Sequence, residues 1–260
     1  MRVEVIGIGA GDPKHVTVEA VEVLNQIDVF FFLDKAGAQR ELSDSRQAIL
    51  DRHVTGEYRV VRMADPPRDR TADGYVDAVA DWRTRRVDLC EQALSVLRSD
   101  EVGAFLVWGD PALYDSIIAV LEDVRARGTV VFDVGVVAGI SSVSALAARH
   151  QISLTRVGAA VQVTTGRRLA QGWPDGVDDV VVMLDAQCAF LGYADDPTVR
   201  IHWGAYLGTS DEILISGRLA DVAGQIRDTR ERARQDKGWI MDTYLLRRPA
   251  RADLPHRAQM

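Results

Sequence analysis

The chain of 260 residues is 47% apolar and 27% charged and carries a net charge of −7, which suits a globular enzyme of one large domain or two compact ones. The acidic excess argues against nucleic acid as a partner, because phosphate contacts supply most of that affinity and need basic side chains. No apolar run reaches the roughly 20 residues of a bilayer span, and the first residues alternate like a strand rather than a signal peptide, so no membrane partner is expected.

In chain order, residues 3–8 read as a short buried strand running into the turn Gly7-Ile-Gly-Ala-Gly-Asp-Pro13. Thr17 can cap a helix to about Gln26, with Val18, Val21 and Leu24 on its apolar face. The unbroken apolar run within 28–33 suits a strand covered on both faces, as in a parallel sheet. A helix over 40–52, a strand over 58–63 and a loop over 65–70, kept irregular by Pro66-Pro67, come next. A helix over 81–97 leads to a strand over 102–108 and a second tight loop, Gly109-Asp-Pro111. A helix over 115–127, a strand over 129–134 and a helix over 141–149 complete an alternation that predicts a doubly wound, mostly parallel α/β sheet.

Past 151–155 the texture changes. Strands over 157–163, 180–184, 213–216 and 239–246 alternate with glycine-rich turns and one long helix over 218–235. The expected division is an N-terminal α/β domain over 1–152, a C-terminal α/β domain over 153–248 and a flexible tail over 249–260. Cys90 and Cys188 lie far apart and the five histidines form no ligand pair, so reduced thiols, no metal and a cytoplasmic location are expected.

The first loop invites a dinucleotide reading, but a pyrophosphate fingerprint needs a third glycine opening directly into a helix. Asp12 stands there and Pro13 follows; a nicotinamide-dependent oxidoreductase and a plain tight turn remain as alternatives. The second loop, Leu106-Val-Trp-Gly-Asp-Pro-Ala-Leu-Tyr-Asp-Ser116, repeats the Gly-Asp-Pro chemistry. Glycine lets a backbone approach a ligand closely, and exposed amides beside a carboxylate suit a ligand with both an ammonium and a carboxylate. The methionine end of S-adenosylmethionine is such a ligand, and its sulfonium is better tolerated near carboxylates than near Lys or Arg. The third loop, Gly135-Val-Val-Ala-Gly-Ile-Ser-Ser142, turns a strand into a helix; taken alone, helix capping by its serines explains it best.

As an ordered set, Gly7-x-Gly9-x-Gly11-Asp12-Pro13, Gly109-Asp110-Pro111 and Ala138-Gly139-Ile140-Ser141-Ser142 resemble the loops of the tetrapyrrole (corrin/porphyrin) methylase family. Val181-Val-Met-Leu184 and Gly204-Ala-Tyr-Leu-Gly-Thr209 fit its C-terminal half, so the resemblance covers about 1–248. Ala138 replaces the proline usual before Gly-Ile-Ser, and Asp115-Ser116 replaces a small glycine-containing step. The resemblance implies two α/β domains with S-adenosylmethionine in a cleft between them, S-adenosylhomocysteine as product, and a homodimer. Carried over by motif, Pro13 lines the cleft, Trp108, Gly109 and Asp110 cradle the methionine end, and Leu113 lies one turn further. Ser141 and Ser142 contact the donor, Leu184 lies beside the adenine with Met183 one step out of register, and Gly208 lies near the adenosine.

The wording over 108–116 and 203–214 resembles one branch in particular, which methylates precorrin-5 at C-1 and releases the C-20 acetyl group as acetate. Methyl transfer from a sulfonium needs chiefly placement and exclusion of water. Acetate release adds a hydrolytic step, for which Asp12, Asp110, Tyr114 and Asp115 are the candidate bases or donors. Donor binding is the other role open to Asp110, and plain solvation the other for Asp115. The substrate is a small-molecule tetrapyrrole rimmed with carboxylates, which Arg68 and Arg70, within the run Arg62 to Arg86, and Arg167, beside Arg168, could grip. Those arginines could equally be wet helix faces, and another tetrapyrrole methylase of the same fold is the nearest rival.

Overall fold

A computed structural model describes residues 1–34, 40–67 and 75–249; side chains at 40–43, 75, 76 and 79 are not described. Arg68, Arg70 and residues 250–260 of the expected tail lie outside the described residues. The chain divides into two compact units, Met1–Ser141 and Ser142–Met260.

The first unit is a five-stranded sheet in the order β3-β2-β4-β1-β5, every pairing parallel. Its strands are β1 (Arg2–Gly7), β2 (Val29–Asp34), β3 (Arg59–Ala64), β4 (Val102–Val107) and β5 (Asp133–Val137). Helices α1 (Val18–Leu24), α2 (Arg40–His53), α3 (Tyr75–Leu94) and α4 (Ile117–Arg127) make the crossovers. Alternate side chains of the apolar runs point to opposite faces. Phe31 and Phe105 pack among Leu94, Leu121 and Val124 from α3 and α4. Phe30, Phe32 and Leu106 pack among Ala20, Leu24, Ile49 and Leu50 from α1 and α2. Burial on both faces is why these strands carry no polar alternation.

Thr17 caps α1 as expected, its hydroxyl accepting the Ala20 N–H at 3.1 Å. The fifth strand was expected over 129–134 and forms later, at Asp133–Val137. Gly128, at φ +72°, ends α4 in the left-handed conformation, and the next residues are spent on the return.

The second unit holds a five-stranded sheet in the order β6-β7-β10-β8-β9, with only β6 and β7 parallel. These are β6 (Val161–Thr165), β7 (Asp179–Met183), β8 (Arg200–Ala205), β9 (Ile213–Arg218) and β10 (Asp242–Arg247). Helix α5 (Ser142–His150) packs on β8, β9 and β10, α6 (Gly166–Leu169) is a single turn after β6, and α7 (Leu219–Lys237) is the long helix expected. Because α5 packs on this second sheet, the units part at 141–142, ahead of the textural change at 151–155. The expected strand over 157–163 forms at Val161–Thr165 instead, after a turn through Gly158 at φ +70°. Strand β8 had no counterpart in the sequence reading: His202 and Gly204 interrupt its apolar residues, yet Ile201, Trp203 and Ala205 are fully buried. No helix among the described residues is long and apolar enough to cross a membrane.

His202 on β8 gives the second unit an acid limit. Burial, His150 at a ring-centroid distance of 5.3 Å, Arg247 and Arg200 push its pKa down to about 4. The unfolded chain takes up this proton near pH 6.5 and the folded chain does not. The stability it contributes is therefore complete above about pH 6.5 and lost as pH falls toward 4, by roughly 2 kcal/mol. His202→Gln should flatten that slope in urea titrations at pH 7 and pH 4.5; an equally steep loss in the variant would place the acid limit elsewhere.

Candidate active site

The three glycine loops follow β1, β4 and β5, which are neighbours in one parallel sheet, so all leave from the same edge. In open α/β sheets that carboxyl edge is where ligands bind. The loops touch backbone to backbone. The Gly109 N–H donates to the Gly9 carbonyl at 2.8 Å and the Gly9 N–H to the Gly109 carbonyl at 3.3 Å, an antiparallel bridge between the first two loops. Gly9 and Gly109 hold φ of +80° and +74°, which side-chain-bearing residues resist. A Cβ on Gly7 would stand 2.6 Å from the Gly139 nitrogen, and one on Gly139 would run into the Gly109 carbonyl. These bends can therefore pack on one another only because they carry no side chains.

Asp110 ties the second loop to the third. Its Oδ1 accepts the Ala112 N–H at 2.8 Å and its Oδ2 the Gly139 N–H at 2.9 Å. Both oxygens are thus engaged with backbone, a bracing arrangement rather than that of a free base. Asp12 accepts the Lys14 N–H at 2.9 Å and caps a short 3-10 turn, Pro13–His15, so the first loop does not open directly into a helix as a pyrophosphate site requires. Asp115 accepts the Ile117 N–H at 2.7 Å at the start of α4 and is otherwise exposed. Tyr114, next before Asp115 in the second loop, has φ +53° and is 46% exposed; burial of the rest of its ring pushes its pKa up, so its hydroxyl stays protonated. Trp108 and Leu113 are half-buried, Ser141 is buried and Ser142 is half-buried at the head of α5.

The second unit carries its own candidates at the ends of β7 and β8. Both strands run antiparallel to β10, which lies between them, so Met183-Leu184 and Gly208 emerge at one edge. Leu184 is 65% exposed with φ +54°. Gly208 turns at φ +77°, its N–H donating to Glu212 Oε2 at 2.9 Å.

The arginines read as a substrate-facing run are for the most part spoken for. Arg62 pairs with Asp34 at 3.0 Å, Arg83 with Asp123 at 2.6 Å, Arg85 with Asp81 at 2.8 Å and Arg86 with Asp65 at 2.8 Å. Arg167 is exposed on α6, and Arg168 lines a cavity of about 420 Å³ with Gln162, Thr164 and Trp173, within the second unit.

Sequence reasoning missed two residues. Arg46 on α2 donates through Nε to the Leu106 carbonyl at 3.2 Å, at the foot of the second loop. Burial lowers its pKa against the pull of Asp34, Asp115 and Asp65. No periodicity in a polar helix marks it. Asp185 is buried just after β7 and accepts three hydrogen bonds through its carboxylate. An acid directly behind the run Val180-Val-Val-Met-Leu184 was the available signal.

The sulfonium donor suggested by the sequence fits this composition. The loops over 7–13, 108–116 and 135–142 contain no Lys, Arg or His, and they offer amides, serine hydroxyls and carboxylates at closely packed glycine bends. Residues 2–223 match the family model for tetrapyrrole (corrin/porphyrin) methylases. The chain is 47% identical over 254 residues to the precorrin-6A synthase [deacetylating] of a Sinorhizobium species, covering 97% of each. Among solved structures, a cobalamin synthesis related protein (CobF) from Corynebacterium diphtheriae matches with a TM-score of 0.80 and 34% identity, over 95% of this chain and 98% of that one. A uroporphyrin-III C-methyltransferase from Thermus thermophilus, complexed with S-adenosylhomocysteine, shares the fold at a TM-score of 0.56 and 19% identity, over 95% and 97% of the two chains. With three glycine loops joined on one sheet edge and a family match that spans most of its length, this chain belongs to the tetrapyrrole (corrin/porphyrin) methylase family.

Proposed function

We propose that this chain is an S-adenosylmethionine-dependent C-methyltransferase of corrin biosynthesis that methylates precorrin-5 at C-1. With one water consumed, its products are precorrin-6A, acetate and S-adenosylhomocysteine. The observation that carries the reading is the meeting of the glycine loops over 7–13, 108–116 and 135–142, backbone to backbone at one sheet edge, with no Lys, Arg or His among their own residues. Full-length similarity to a precorrin-6A synthase selects the branch.

The donor supplies an electrophilic methyl group, and the chain's task is placement and exclusion of water. In this reading Pro13, Trp108, Gly109, Leu113, Ser141 and Ser142 hold the methionine end. Asp110 holds the second and third loops in register for them. Met183, Leu184 and Gly208 serve the adenosine. For the acetyl group, the protonated Tyr114 hydroxyl is assigned the polarising of a carbonyl. Asp115 and Asp12 each keep one carboxylate oxygen outside their capping bond, and either can accept a proton from water. Arg167 remains assigned to substrate carboxylates, with Arg46 added at the foot of the second loop. The family resemblance also supports a homodimer working in the cytoplasm.

Anaerobic incubation with metal-free precorrin-5 and S-adenosylmethionine should give precorrin-6A and acetate in equal amounts. A methylated product without acetate would make the chain a sibling methylase. Thermal stabilisation by S-adenosylhomocysteine and none by NADH is expected alongside; the reverse would revive the oxidoreductase reading.

A further inference from the structure

Leu184 is anomalous in two ways at once. It is a large apolar side chain left 65% exposed, and its φ of +54° lies in the left-handed region that favours glycine or asparagine. Four residues on, Cys188 repeats the strain at φ +56°. Such conformations persist only where the surroundings over-determine them.

The surroundings here are a buried polar network centred on Asp185. Its Oδ1 accepts the Gln187 N–H at 2.9 Å, and its Oδ2 accepts the Ala189 N–H at 2.7 Å and the Tyr244 hydroxyl at 2.6 Å. Arg230 donates to the Asp185 carbonyl at 2.5 Å and, through Nε, to Asp242 Oδ2 at 3.0 Å, which also accepts the Trp203 indole N–H at 2.9 Å. Side chains from β10 and α7 thus reach one short turn, and Trp203 on β8 braces the Asp242 that pairs with Arg230. Room for the Asp185 carboxylate is kept by Gly166, where any Cβ would collide with it. A chain reversal alone does not require this. Glycine or asparagine at 184 would turn without strain and without exposing an apolar side chain.

We propose that Asp185 is a positioning residue which, with Tyr244 and Arg230, locks residues 184–189 in a strained turn so that Leu184 is held out as an apolar platform for the flat adenosine of the methyl donor. The inference rests on the donor reading above and adds to it the device that presents the contact.

The experiment measures S-adenosylhomocysteine binding by calorimetry, ligand-free melting, and the split between donor KM and kcat for L184G, D185N, Y244F and the double variant L184G/D185N. L184G relieves the strain and loses little buried surface, so it should melt at or up to about 3 °C above the wild type while binding at least about tenfold more weakly. D185N should melt lower, bind about tenfold more weakly and keep kcat within about twofold at saturating donor. Because Asp185 acts through Leu184, the double variant should bind no more weakly than L184G alone. Losses that add in the double variant, or an unchanged affinity in D185N, would reduce Asp185 to a purely stabilising role and overturn the proposal. Should D185N fail to fold, Y244F, which removes a single bond to the carboxylate, carries the same cycle with a smaller shift. A wild-type protein that does not bind S-adenosylhomocysteine would instead sink the donor reading itself.

Discussion

Gly139→Ala should weaken donor binding severely while leaving the second unit's fold intact. The added Cβ would run into the Gly109 carbonyl and stand 2.8 Å from Gly7, where the neighbours are backbone held in a parallel sheet. Backbone cannot step aside as the end of a side chain can, so the third loop must lift from the other two. Overpacking of this kind costs about 1–3 kcal/mol in stability. The larger effect is on donor binding: the Kd for S-adenosylhomocysteine should rise at least about 100-fold, equivalent to about 2.7 kcal/mol. Gly56→Ala is the matching control, since a Cβ there meets nothing within 4 Å and the residue is exposed. It should change stability by no more than about 0.5 kcal/mol and leave affinity untouched. Calorimetry and urea unfolding on the pair decide the matter. Wild-type affinity in Gly139→Ala would mean that the contact of the three loops is unrelated to the donor.

Asp110→Ala should weaken donor binding about 10- to 100-fold and lower stability by about 1–3 kcal/mol. The carboxylate accepts the Gly139 and Ala112 N–H groups; removal leaves the part-buried Gly139 N–H without a partner, at about 1–3 kcal/mol, while the exposed Ala112 N–H turns to water. Asp110→Asn is the informative companion. Its amide keeps one acceptor but turns a donor toward the other N–H, so an intermediate loss is expected. If both variants lose stability and keep full affinity, Asp110 braces the loops without shaping the donor site. If affinity falls with little change in stability, Asp110 touches the donor directly.

Much of the first unit was legible before any coordinates. The unbroken run Val29-Phe-Phe-Phe-Leu33 signals a strand buried on both faces, and Phe30 and Phe31 do pack on opposite ones. The Gly-Asp-Pro loops were visible because glycine and proline constrain the backbone locally, whatever surrounds them. Strand β8 was not read from the sequence although Ile201, Trp203 and Ala205 alternate with His202 and Gly204; its central place in the sheet comes from pairing with β10, which the chain reaches only after α7. The arginine run Arg62 to Arg86 looked like a substrate grip in one dimension; the fold set an aspartate against each described arginine beyond Arg70 and against Arg62 itself.

By itself the sequence determined which bends could form without side chains, which runs had to be buried, and the absence of cations from three loops. Those are properties of single residues and their immediate neighbours. Only the tertiary structure decided that β4, β1 and β5 lie side by side, so that loops over 100 residues apart share backbone contacts. It alone decided that Asp110 is a brace and that Asp185, unremarked in the sequence, holds Leu184 in strain. The reason is physical: strand order and hydrogen-bond partners are set by the minimum of the whole chain's free energy, and no local pattern encodes which distant group will satisfy a carboxylate.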